Sequence, residues 1–140
     1  RRAIVPTSGY YEWKTTDEGK VPHYIHPADD SPLLLAGLYE WWKNPAAADD
    51  DPARWGLSFT ILTRDSIGAL GSIHDRMPLF VDIDHAEAWL DTDTDNVGDV
   101  LDAAVDAAPS VAATLDNRIV GRAVGNVRNN GPELIEPVAS

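Results

Sequence analysis

Glu12 in GYYEWK (residues 9–14) and His74 in SIHDRMP (residues 72–78) are of the types that move protons. A carboxylate takes a proton, and an imidazole gives or takes one near neutral pH, so together they can perform general acid–base chemistry. By strand alternation Tyr10, Glu12 and Lys14 share one face, and Tyr11 and Trp13 the other. The stretch GLYEWW, residues 37–42, repeats Gly-x-Tyr-Glu-Trp and makes Glu40 a second candidate. Nothing else matches at that offset, so the echo is not an internal repeat. On spacing alone, either glutamate reads equally as an ordinary strand-face carboxylate paired with a nearby lysine.

His74, Asp75 and Arg76 are consecutive and are closed by Pro78. They follow a strand pattern (GLSFTILT) and a short helical turn (DSIGALG), and they precede another apolar run. That context is a loop on a rigid scaffold, where function tends to lie. The bland alternative is a salt-linked turn in which Asp75 caps and pairs with Arg76. A hydrolytic triad of Ser72, His74 and Asp75 is set aside, because sequence neighbours rarely point at one another and no GxSxG elbow exists. The acidic run DTDTDN (91–96) invites a calcium loop. Asn96 stands where the turn demands Gly, however, and Asp102 where a bidentate Glu belongs. Helix-capping acid is the better account, and no metal is expected.

These residues need elements to carry them. Strand patterns cover Ala3–Val5, Gly9–Lys14, Pro22–His26, Pro32–Trp42 and Gly56–Thr63. TTDEGK between the second and third predicts a hairpin with Gly19 in the turn. Asp84 is expected to cap a helix over HAEAWL. The acidic loop should open a second helix, VGDVLDAAVDAA, stopped by Pro109, with strand character returning at Arg118–Val124. Many strands followed by two short helices and a strand describe an α+β fold dominated by antiparallel sheet.

At 140 residues the chain fits one domain with a real core. No apolar run approaches the ~20 residues that span a bilayer, and no basic-plus-apolar leader opens the chain. With no cysteine there is neither a disulfide framework nor a thiolate metal site, and the expected compartment is the cytoplasm. The chain begins Arg-Arg-Ala-Ile-Val-Pro and runs straight into a strand pattern, which suggests a fragment whose upstream part is absent. A net charge of −12 repels nucleic acid at long range. Locally, Asn117–Pro132 has no acid and carries Arg118, Arg122 and Arg128, while eight of the eleven basic residues are arginine, the better fork for phosphate.

The order GYYEWK, AGLYEWW, FTILT, IHDRMP and VGNVRNNGPELI resembles the SOS response-associated peptidase (SRAP) family over nearly the whole chain. The resemblance implies an SRAP-like, barrel-like sheet core. The chain would be one domain, 1–140, forming the C-terminal portion of the family fold. It implies autopeptidase removal of an initiator Met and covalent capture of abasic sites in single-stranded DNA. There an N-terminal cysteine forms a Schiff base through its α-amine and closes a thiazolidine through its thiol. Glu12 and His74 would be catalytic, while Glu40 would belong to a structural strand. Arg76 would hold a phosphate, Trp13 would stack on a base and Thr63 would contact DNA. The protein would act as a monomer, without cofactor, in the cytoplasm and on the nucleoid at damaged DNA. The cysteine has no counterpart here. The alternatives are a non-enzymatic single-stranded DNA-binding module and a peptidase using His74 and Asp75.

Overall fold

Alternating β-branched and aromatic residues produce eight strands in the computed structural model, which describes residues 1–93 and 95–138. They are β1 (Arg2–Thr7), β2 (Tyr10–Thr16), β3 (Gly19–Pro27), β4 (Leu33–Lys43), β5 (Trp55–Ile61), β6 (Thr63–Asp65) and β7 (Arg76–Pro78), with β8 (Leu115–Ile119) after the helices. The helices are α1 (Ala86–Leu90) and α2 (Val97–Ala112). All strand pairs are antiparallel, in the orders β1-β4-β5, β2-β3-β8 and β6-β7. This is the expected α+β, mainly antiparallel architecture. Closure into a barrel does not occur among the described residues. The consecutive strands β1 and β2 do not pair; the chain changes sheet between them, where the Thr7 hydroxyl donates to the Gly9 carbonyl at 2.7 Å.

The β2–β3 hairpin forms at TTDEGK as expected. Thr16 stands opposite Gly19, so Asp17 and Glu18 alone make the loop, and Gly19 takes a φ of 114° that a side chain disfavours. The turn fixes a register in which Glu12 faces His23 and Trp13 faces Pro22. Gly9 answers a different demand. A Cβ there would lie 2.5 Å from the Ile25 carbonyl oxygen and 2.6 Å from the Tyr24 ring.

Two apolar clusters form the core. Ile25, Leu33, Leu35, Leu70, Ile73, Met77 and Phe80 make the first; Ala36, Leu79, Val81, Trp89, Ala104 and Ala108 make the second. The inner half of β4 lies between them, sending Leu33 and Leu35 to one and Ala36 to the other. Trp89 brings α1 against β1, its indole donating to the Ala3 carbonyl at 2.8 Å.

Three local expectations are corrected. Asp82, not Asp84, caps the turn Ile83–His85 ahead of α1, its carboxylate accepting the Asp84 N–H at 2.8 Å. The last strand is Leu115–Ile119 rather than Arg118–Val124. Val120 is buried there and the chain then coils into a 3-10 turn over Arg122–Gly125. Finally, α2 runs through Pro109 instead of stopping at it. A proline has no N–H for the carbonyl four residues back, here that of Val105. Arg64 on β6 supplies the missing donor, its Nη1 reaching the Val105 oxygen at 2.7 Å. The start of α2 matches expectation: Asn96 caps it by accepting the Asp99 N–H. Thr94 of the acidic loop lies outside the described residues.

The bond from Arg64 to the helix generates a double-mutant test. Arg64→Met should destabilise the fold by about 1–3 kcal/mol, the cost of leaving a partly buried carbonyl without its donor. In a Pro109→Ala background the restored N–H reaches Val105, and urea unfolding should show most of that penalty gone. Equal penalties in both backgrounds would refute the pairing.

Candidate active-site cleft

Glu12 sits on β2, an edge strand, and its Oε1 accepts the backbone N–H of Trp13 at 3.0 Å. His74 sits in a short loop between two buried anchors, Ile73 and Met77. The loop is tied by hydrogen bonds from His74 N–H to the Leu70 carbonyl at 3.2 Å and from Ser66 N–H to the Asp75 carbonyl at 2.8 Å. With both flanking residues in the core, the polar side chains between them project outward. The result is one cleft of about 340 Å³ lined by Glu12, Trp13, Lys20, His74 and Gly125.

The hydrogen bonds of His74 define two usable forms. Its Nδ1 lies 3.1 Å from the Arg76 backbone nitrogen and 3.1 Å from Asp75 Oδ1. In the neutral ring Nδ1 either accepts the Arg76 N–H, leaving the proton on Nε2, or carries the proton itself and donates to the Arg76 carbonyl at 3.2 Å. In the charged ring Nδ1 instead donates to the carboxylate of Asp75, so either form has a partner, as a group cycling between acid and base requires. Tyr10, on the same face as Glu12, has its phenol pushed far up by burial, with a further contribution from the charge on Glu12. It therefore stays a neutral neighbour.

Arg76 and Thr63 meet beside this loop rather than in the cleft lining. Nη1 of Arg76 donates to Asp65 at 2.6 Å, and Nη2 donates to the Thr63 carbonyl and hydroxyl at 2.8 and 2.9 Å. The arginine thus clamps β6 to β7 and is partly neutralised, with its side chain half exposed. In place of Asp75, the partner in the bland alternative, Arg76 pairs with Asp65, which the strand register places opposite it.

Sequence reasoning missed Lys20, Gly125 and His23. Lys20 was legible in principle, since a tight hairpin puts it on the same side as Trp13. No local signal brings Gly125 to the cleft; it arrives because the chain turns after the buried Val120. His23 is only 8% exposed, stands directly opposite Glu12, and has Nδ1 3.0 Å from Asn117 Oδ1 on β8. With that oxygen accepting, Nδ1 carries the proton. A larger, mainly apolar cavity of about 620 Å³ is lined by Leu33, Val81, Val111 and their neighbours. It holds two carboxylates, Asp29 and Asp82, but no histidine, glutamate or basic residue. Among the described residues, no helix is long and apolar enough to cross a membrane, and no group of three or more His, Asp or Glu could hold a metal ion.

Comparison with known proteins supplies the kinship of this arrangement. The chain is 32% identical over 140 residues to the abasic site processing protein YoqW of Bacillus subtilis (strain 168), covering 97% of this chain and 57% of that protein. It is 34% identical over 137 residues to the abasic site processing protein YedK of Escherichia coli (strain K12), covering 98% and 58%. A crystal structure of a Bacteroides thetaiotaomicron protein superposes with a TM-score of 0.78 at 23% identity, covering 99% of this chain and 57% of that one, which shows a shared fold. The chain thus spans somewhat more than half the length of these relatives. The profile of the SOS response associated peptidase (SRAP) family matches residues 1–127, and the chain belongs to that family.

Proposed function

We propose that this chain forms the acid–base part of a site that captures abasic sites in single-stranded DNA. The observation that carries the reading is the shared cleft of Glu12 and His74, with Trp13 and Lys20 on its wall. An abasic site in its ring-opened form presents an aldehyde. A primary amine attacks the carbonyl carbon, and the carbonyl oxygen leaves as water after two proton transfers, giving a Schiff base. A thiol on the same residue then adds its sulfur to that carbon, and its proton ends on the nitrogen, closing a thiazolidine. An α-amine with an ordinary pKa of about 8 is mostly protonated at neutral pH and must first lose a proton. Glu12 takes that proton, and His74 delivers one to the departing oxygen. The chain has no cysteine, so amine and thiol come from an N-terminal cysteine outside these 140 residues. Removal of an initiator Met by the same site uncovers it. The chain is then the C-terminal portion of one SRAP domain.

Trp13 offers an indole for a splayed base, and Lys20 offers a cation for the backbone beside it. Arg76 contacts a phosphate from the rim, with Thr63 alongside. Because Asp65 already holds part of its charge, the arginine acts more as an oriented donor than as a free cation. No cofactor is used. The protein works as a monomer in the cytoplasm, on damaged DNA.

Incubating the intact gene product with abasic single-stranded DNA, then running a denaturing gel, tests the chemistry. A shifted band is expected, and Glu12→Gln or His74→Gln should slow its appearance by about 10²-fold or more. Binding without a shifted band would mean a plain single-strand binder, and cleavage of a peptide in the absence of DNA would mean a hydrolase. Arg76→Ala should weaken binding to every sequence alike and lower the salt slope by about one unit. An effect confined to one base would overturn the phosphate assignment.

A further inference from the structure

β4 is buried or nearly so over Leu33 to Gly37 and exposed over its remaining six residues, where Glu40 and Lys43 bring its first charges. Leu38, Tyr39, Trp41 and Trp42 continue the apolar run. A strand with one wet face alternates apolar and polar residues, whereas a strand covered on both faces is apolar throughout. The face of Leu33, Leu35, Gly37, Tyr39 and Trp41 stays apolar up to Lys43, and only its first half is covered.

The register shows one apolar face left open. On the face leading from the first core cluster, Tyr39 pairs with Phe59 and Trp41 with Leu57, with Trp55 beside Lys43. Phe59 is 65% exposed and Leu57 57%. The face leading from the second cluster is mixed: Leu38 and Trp42, the latter 56% exposed, flank Glu40, which pairs with Arg1, and Thr60, Ser58 and Gly56 stand across from them. β5 is moreover an edge, with no strand on its far side among the described residues. An exposed, apolar, unpaired edge of this kind is a seat for another strand.

We infer that this open end of the β1-β4-β5 sheet is the seat of the remaining polypeptide of the same gene product, which adds a strand at β5 and apolar cover over Tyr39, Trp41, Leu57 and Phe59. One observation chooses that occupant. YoqW and YedK extend well beyond the matched region, which is 57% and 58% of their lengths, so a segment of suitable size is present in both relatives. The inference rests on family membership and the sheet geometry, and is independent of the abasic-site chemistry.

Hydroxyl-radical footprinting of the intact gene product without DNA, read by mass spectrometry, tests it. Trp41 and Trp55 should label within about twofold of Trp89, a tryptophan 2% exposed in the core, at every protein concentration. Phe59→Lys should lower the melting temperature of the same protein by roughly 5–10 °C, as a charge placed in a covered apolar face does. Labelling at the rate of free tryptophan would overturn the inference, as would an unchanged melting temperature. Protection that grows only with protein concentration would assign the face to a second copy. Protection that appears only with single-stranded DNA would assign it to stacked bases.

Discussion

Ile25, Ile73 and Met77 meet in one apolar cluster, and through that contact a glutamate and a histidine from distant parts of the chain come to line the same cleft. Ile25 belongs to β3, whose register with β2 sets where Glu12 stands. Ile73 and Met77 bracket the His74 loop. Burying each such side chain contributes about 1.5–3 kcal/mol, more than enough to order a loop of three polar residues. The polar groups then need only short, local bonds to be oriented, and Leu70, Ser66 and Arg76 provide them through backbone atoms.

The two Tyr-Glu-Trp segments show why local sequence does not assign chemistry. Both glutamates accept the N–H of the tryptophan that follows, Glu12 at 3.0 Å and Glu40 at 2.8 Å. The surroundings separate them. Glu40 lies on the exposed half of β4 and pairs with Arg1, whereas Glu12 borders the cleft with His74 and stands opposite the buried His23. The same pentapeptide thus makes a surface ion pair in one sheet and a cleft carboxylate in the other. Tertiary packing, which places one beside the His74 loop, is the whole of the difference.

Much of the fold was legible because it follows from local rules. The alternation in GYYEWK, the TTDEGK turn and the Asn96 cap each depend on a few neighbours and appear where expected. The failures at Pro109 and Arg76 involve long-range partners. Pro109 ends a helix by local rule, yet Arg64, far away in sequence, fills the vacancy it creates. Asp65 takes Arg76 from its sequence neighbour Asp75 because β6 and β7 pair. Barrel closure was carried over from family likeness, and the described residues leave β5 and β2 with open edges. Glu12, Trp13 and His74 came from motif order, whereas Lys20 and Gly125 needed the folded backbone to bring them in.

The account stands on Glu12 and His74 forming one cleft that receives DNA at a lost base. Backbone and indole chemical shifts, followed by NMR while a single-stranded oligonucleotide carrying a non-reactive tetrahydrofuran abasic analogue is added, test this directly. The largest changes should fall on Glu12, Trp13, Lys20, His74 and Gly125 together. Changes confined to other surfaces, or to only one of the β2–β3 hairpin and the His74 loop, would contradict it.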